Sequence, residues 1–168
     1  MWLLFLLFAP VASLVCQVPN TSNTVTVSNA TSYAYCDNIT TVLFNTTAIA
    51  PAQFYEATGL SNWTLIANTS ITNISNHAFQ NTNLTAIPTG LENAIVIESS
   101  AFSHSKLNTA VIMPQLQTLG AYGFAYTDII SVVFSALTFI GEGAFYSCTH
   151  LGAVDLPVAQ QLGRLSFG

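Results

Sequence analysis

The stretch Phe139–Pro157, FIGEGAFYSCTHLGAVDLP, decides how the whole chain is read. An aliphatic, Ile140, stands five residues before a phenylalanine, Phe145, which follows a small residue, Ala144. Leu151, Val154 and Leu156 then follow at offsets of six, nine and eleven. Thr118–Phe134, TLGAYGFAYTDIISVVF, has the same grammar one unit earlier. Self-similarity at a fixed period is the sequence signature of a repeat architecture, so the rest of the chain is aligned on that aromatic.

The aromatic recurs at Tyr33, Phe54, Phe79, Phe102, Phe124, Phe145 and Phe167, with spacings of 21, 25, 23, 22, 21 and 22 residues. The aliphatic five before it is Ile49, Ile74, Ile97, Leu119, Ile140 or Leu162, and only Ser28 departs. The residue just before the aromatic is small except at Gln53. After it come Ile39, Leu60, Leu84, Leu107, Ile129 and Leu151. Three residues further on stand Val42, Trp63, Ile87, Ala110, Val132 and Val154; two beyond those lie Phe44, Leu65, Thr89, Ile112, Phe134 and Leu156. A period near 22 is too short for a helical-hairpin repeat and suits one coil of a solenoid. The L-x-x-V-x-L core supplies a strand whose last two aliphatics alternate inward. The aromatic and the aliphatic five before it close each coil from the opposite side. Equivalent positions stack, so the seven aromatics are expected to form one internal spine.

The unit LTFIGEGAFYSCTHLGAVDLP, Leu137–Pro157, resembles the BspA-like leucine-rich repeat, found in surface proteins of oral bacteria and parasitic protists. The resemblance covers residues 33–168, six coils and the start of a seventh. The glycine after the closing aliphatic is present at Gly120, Gly141 and Gly163 and replaced by Ala50, Ser75 and Glu98. The resemblance implies a leucine-rich repeat solenoid: one short parallel β-strand per 21–25-residue coil, stacked into a curved right-handed array. It also implies a secreted or surface-displayed adhesion or recognition module without catalytic residues or cofactors. Residues 17–32 fall outside the register; Val25 and Val27 alternate with polar residues there, as in a strand capping the first coil. The chain stops at RLSFG, just after a spine aromatic, which reads as a fragment or truncated member of a longer array.

Composition narrows the function. Half of the 168 residues are apolar, 5% are charged, and two basic residues face seven acidic ones. Nucleic-acid binding requires a basic footprint, which Lys106 and Arg164 alone do not make. The apolar run Trp2–Val15 is too short for a membrane span of about 20 residues and fits a secretory signal peptide over residues 1–16. Membrane attachment is then expected only through an anchor outside this sequence. Sequons begin at Asn20, Asn29, Asn38, Asn45, Asn62, Asn68, Asn73 and Asn83, and none follows. In a eukaryotic secretory pathway, glycans there would supply the solubility that charge does not.

Catalytic patterns are missing from the sequence. It contains no Gly-x-Ser-x-Gly elbow, phosphate-binding glycine loop or His-Glu-x-x-His pair. His77, His104 and His150 fall in three different phases of the repeat, which does not suit a shared metal site. Cys36 and Cys148 each follow their aromatic by three residues, where Ala57, Thr82, Ser105 and Thr127 stand elsewhere. This is a small-residue column. Both cysteines are therefore expected as buried thiols, five coil steps apart and not bonded to each other.

The outward strand positions read Thr41 and Leu43, Asn62 and Thr64, Ala86 and Pro88, Thr109 and Val111, Ser131 and Val133, Ala153 and Asp155. Coils four to six carry no sequon there. Thr109, Val111, Ile130, Ser131 and Val133, with Asp155 at one end, make a nearly uncharged strip and the candidate partner face. Such a strip suits a protein or glycan surface over a charged polymer. The alternative is a structural coat glycoprotein without a specific receptor.

Overall fold

The computed structural model describes residues 24–27, 34, 36, 41–44, 48–60 and 70–168, and within them the chain is a parallel β-solenoid. Its strands are β1 (Thr24–Val27), β2 (Thr41–Phe44), β3 (Ala48–Ile49), β4 (Asn73–Ile74), β5 (Val96–Ile97) and β6 (Ala110–Ile112). They continue with β7 (Thr118–Leu119), β8 (Ser131–Val133), β9 (Phe139–Ile140), β10 (Ala153–Asp155) and β11 (Gln161–Leu162), and a 3-10 turn, Leu91–Asn93, precedes β5. Every strand pair is parallel.

The aromatic column is the spine of the stack. The rings of Phe54, Phe79, Phe102, Phe124, Phe145 and Phe167 follow one another with centroids 5.1 to 5.9 Å apart and planes within 14°. That separation is close to the 4.8 Å between neighbouring strands, so each coil step brings one ring into offset contact with the next. Phe134 adds a second ring against both Phe124 and Phe145, at 6.3 Å from each. Tyr33 lies outside the described residues.

The turn that carries each aromatic is also regular. Phe124 N–H donates to Ala144 O of the following coil, while Tyr122 and Tyr126, two residues to either side, donate to Glu142 O and Tyr146 O. The same triplet repeats from Ala52, Phe54 and Glu56 onward. The flanking positions hold the left-handed conformation: φ is 58° and 59° at His77 and Asn81, and 56° and 58° at Tyr122 and Tyr126. Left-handed backbone costs a non-glycine residue about 1–2 kcal/mol. It persists because the reversals aim three successive N–H groups of alternate residues along the stack axis, where each finds a carbonyl.

Two features differ from the sequence reading. First, the closing segment ahead of each spine phenylalanine from Phe54 to Phe167 is itself a strand. The closing aliphatics Ile49, Ile74, Ile97, Leu119 and Ile140, all buried, lie on β3, β4, β5, β7 and β9, which with β11 form a six-stranded sheet. A two-residue strand is too short to show period-two alternation, so the sequence marks only its buried member. Second, the outward-inward register of coils three and four is corrected. Val111 and Met113 point into the core, fully buried, while Ala110 and Ile112 are exposed. The pairing of Val111 with Val132 and of Ile112 with Val133 makes this a one-residue insertion between Leu107 and Val111. Coil three is shorter by one: Pro88 is buried where an outward residue was expected, Thr89 is exposed, and no strand forms there. Proline lacks the N–H a ladder requires, which fits the missing strand.

At the first coil, β1 pairs with β2 from Thr24 opposite Thr41 to Val27 opposite Phe44. Residues 61–69, including Asn62, Trp63 and Thr64, lie outside the described residues.

Candidate interaction face

The sheet β6–β8–β10 is where the candidate residues meet. Ala110, Ser131 and Ala153 stand in register, as do Ile112, Val133 and Asp155. Parallel pairing stacks like positions, so each outward residue of one coil lies beside its counterpart in the next. Thr109 precedes β6 and Ile130 precedes β8, both exposed. Ser131 and Val133 are half-buried and Asp155 is exposed. Val111 is not on this face: it is 0% exposed, and Ile112, at 56%, takes its place. Ile130, just before β8, is 51% exposed, so one large aliphatic faces solvent on the sheet and another at its margin.

Ile112 could have been found in the sequence. In coil six the last inward aliphatic, Leu156, immediately precedes Pro157; in coil four Met113 immediately precedes Pro114. Alignment on the proline puts Met113 and Val111 inward and Ile112 outward. Alignment on Leu107 does not.

Beside the strip, Asp128 Oδ1 and His150 Nδ1 approach to 3.1 Å, both side chains largely in solvent. An exposed pair of this kind contributes little to stability. The three histidines lie apart. His77 Nδ1 meets Gln80 Oε1 at 2.7 Å, and His104 stacks on Tyr126 with centroids 4.3 Å apart. Tyr126 in turn meets the Tyr146 ring edge-on at 5.5 Å. This outer aromatic row, on the turn side, is hard to see in the sequence, because His104 and Tyr126 stand two residues after their aromatics but Tyr146 only one. Among the described residues no cluster of three or more metal-ligating side chains occurs.

The small-residue column carries a hydrogen-bond function. Thr82, Ser105 and Thr127 each donate a hydroxyl hydrogen to the carbonyl of the aromatic three residues earlier, at 2.7–2.9 Å. Cys148 instead reaches back one coil: its thiol lies 3.1 Å from Phe124 O and 3.4 Å from Thr127 Oγ1. Burial raises the Cys148 thiol above its usual range, against the opposing influence of the Thr127 hydroxyl. Cys148 is free. Cys36 is buried but disulfide-bonded, which corrects the expectation of two thiols. The expectation that Cys36 and Cys148 are not joined to each other holds.

Of the eight sequons, those at Asn20, Asn29, Asn38, Asn45, Asn62 and Asn68 lie outside the described residues. Asn73 lies on β4, half-buried, and its Nδ2 donates to Ser75 Oγ and Glu98 Oε1, both at 3.2 Å. Asn83 is exposed, and its Nδ2 donates to Thr58 O of the preceding coil at 2.6 Å. No helix among the described residues is long and apolar enough to cross a membrane.

A leucine-rich repeat protein from Eubacterium ventriosum, known from its crystal structure, superposes on this chain with a TM-score of 0.65 at 20% sequence identity. The match covers 82% of this chain and 40% of that one, so it spans less than half the length of its structural neighbour. At that identity the likeness establishes the fold. No curated protein matches the chain. The BspA type leucine rich repeat region matches in six copies over residues 26–152, three quarters of the sequence. With its phenylalanine spine, parallel coils and closing glycines in the same frame, the chain belongs to the BspA-type leucine-rich repeat family.

Proposed function

We propose that the protein is a secreted or cell-surface recognition module, non-catalytic, whose β6–β8–β10 face binds a protein or glycan surface. The observation that carries this reading is the exposure of Ile112 beside half-buried Val133 on one sheet, with Ile130 exposed just ahead of β8 and Asp155 the only charged residue of the three strands. Exposed large aliphatics gathered on one face, in place of scattered single ones, are what marks an interaction site. Rigid strands also reduce the ordering cost of binding. The short apolar N-terminal run and the sequons support export.

The test is a screen of the intact chain against immobilised extracellular proteins and neutral glycans, with the Ile112→Asp/Ile130→Asp variant in parallel. Binders of the wild type should be lost with the double variant and retained with Phe139→Asp, which alters an exposed aromatic on the other sheet. Binding that survives the double variant would remove this face from the mechanism and leave the coat reading in its place.

A further inference from the structure

The two sequons whose surroundings are described, at Asn73 and Asn83, are chemically unequal. A primary amide has two N–H groups, and N-glycosylation replaces one of them. The reaction forms a bond between Nδ2 and the anomeric carbon of an oligosaccharide. It breaks that carbon's bond to a polyprenyl diphosphate donor, and the amide proton leaves with the diphosphate. One N–H remains on the product.

Asn73 uses both of its hydrogens inside the fold, one to Ser75 Oγ and one to Glu98 Oε1 of the next coil. Its sequon hydroxyl, Ser75, is buried, and Ile74 between them is fully buried in the core. A glycan at Asn73 would break one of these bonds and place a bulky sugar on a rung of the six-stranded sheet. Asn83 uses one hydrogen, to Thr58 O, and its side chain is otherwise exposed. Its sequon hydroxyl, Thr85, is exposed as well. The hydrogen it gives up is one the fold does not use.

We infer that Asn83 is a glycan attachment site of the folded protein and that Asn73, despite an equally good sequon, is an unmodified tie between coils. Asn83 occupies the same offset from its aromatic as Lys106 and Asp128, which border the β6–β8–β10 strip. A glycan there marks the near edge of the candidate face and leaves coils four to six bare. This assignment rests on the reading that the chain enters a secretory pathway, and the experiment separates the two.

The full chain is expressed in a eukaryotic host in two forms, one with its own N-terminus and one behind a heterologous secretory signal. The protease-resistant, folded fraction is then treated with a glycosidase that converts each glycosylated Asn to Asp, and the peptides are mapped. Behind the heterologous signal, Asn83 should be converted and Asn73 should not. Thr85→Ala should lose one glycan from the gel mobility and Ser75→Ala should lose none. Conversion at Asn73, or an unconverted Asn83, would overturn the assignment. If the native N-terminus alone yields no glycan, secretion fails while the assignment of Asn83 stands.

Discussion

The coils around Phe79 and the coils around Phe124 and Phe145 solve the same stacking problem in different ways. In the later coils the closing strand is followed by glycine, and the backbones approach closely. A Cβ at Gly141 would lie 2.4 Å from Ala121 N, and one at Gly163 would lie 2.4 Å from Glu142 N. In the earlier coils the same column holds Ser75 and Glu98, and side chains link the levels. Glu98 accepts from Asn73 Nδ2 and from Asn76 N–H, while Asn76 Oδ1 accepts from Ser99 N–H at 2.9 Å. The stack therefore tolerates either a backbone contact or a polar clamp at its closing corner. The phenylalanine spine and the six-stranded sheet run unchanged through both.

If the spine is shared, its loss should be the largest effect and should be similar in either region. Phe124→Ala is expected to destabilise the protein by about 3–5 kcal/mol, the usual cost of emptying a buried phenylalanine site. Phe79→Ala should fall in the same range, since Phe79 also stacks on both sides, against Phe54 and Phe102. Val133→Ala, half-buried on the outer face, should cost well under that. Denaturant titration of the three variants checks the order, and equal losses for Phe124 and Val133 would break the assigned register.

The closing corner should then separate the regions. Gly141→Ala is expected to cost about 1–3 kcal/mol, the range for forcing extra volume into a packed site. The atoms its methyl would meet are backbone atoms of Gly120 and Ala121, which cannot swing away. Glu98→Ala removes no close contact and breaks two hydrogen bonds, at about 0.5–1.5 kcal/mol each. A Gly141→Ala protein as stable as the wild type would mean that the later coils can open as the earlier ones do.

These differences show what could be read in the sequence. The spine was legible because a phenylalanine recurring at a near-constant period behind a small residue marks one stacked column, so its recurrence fixes each coil whatever the loop lengths between, although Phe167 at the end of the column is 44% exposed. The inward strand positions were legible in coil five, where Val132 and Phe134 are buried; in coil six Val154 holds the matching register opposite Val132 but is 46% exposed. In coils three and four, one residue short and one residue long, offsets from the leading aliphatic mislead, and residue type does not help, since Val111 and Ile112 are both aliphatic and β-branched; only the Met113–Pro114 pair marks the frame of coil four. Val111 was therefore placed on the partner face and Ile112 in the core, the reverse of what the fold does. The sequence likewise presents Asn73 and Asn83 as equivalent. Only the partners of their amides tell them apart.

The smallest expected effect concerns the small-residue column, where the later coils depart from the earlier ones by placing a thiol. Thr82 and Ser105 each donate a hydroxyl to their aromatic's carbonyl, and Phe124 O receives both the Thr127 hydroxyl at 2.7 Å and the Cys148 thiol at 3.1 Å. Removing the hydroxyl with Thr127→Val should therefore cost only about 1 kcal/mol, because the carbonyl keeps one partner. Its chemical consequence is more telling. Burial raises the Cys148 thiol above its ordinary range, and the Thr127 hydroxyl partly opposes that by stabilising the thiolate. At neutral pH the folded protein should thus alkylate at Cys148 more slowly than an unfolded peptide of the same sequence, since the thiolate is the reactive form. Loss of the hydroxyl raises the thiol further, so Thr127→Val should react more slowly still, with the rate recovering as the pH is raised. Faster alkylation in Thr127→Val would mean that the substitution opens the last coils instead of tuning the thiol, and that the column holds the coil closed by its hydrogen bonds.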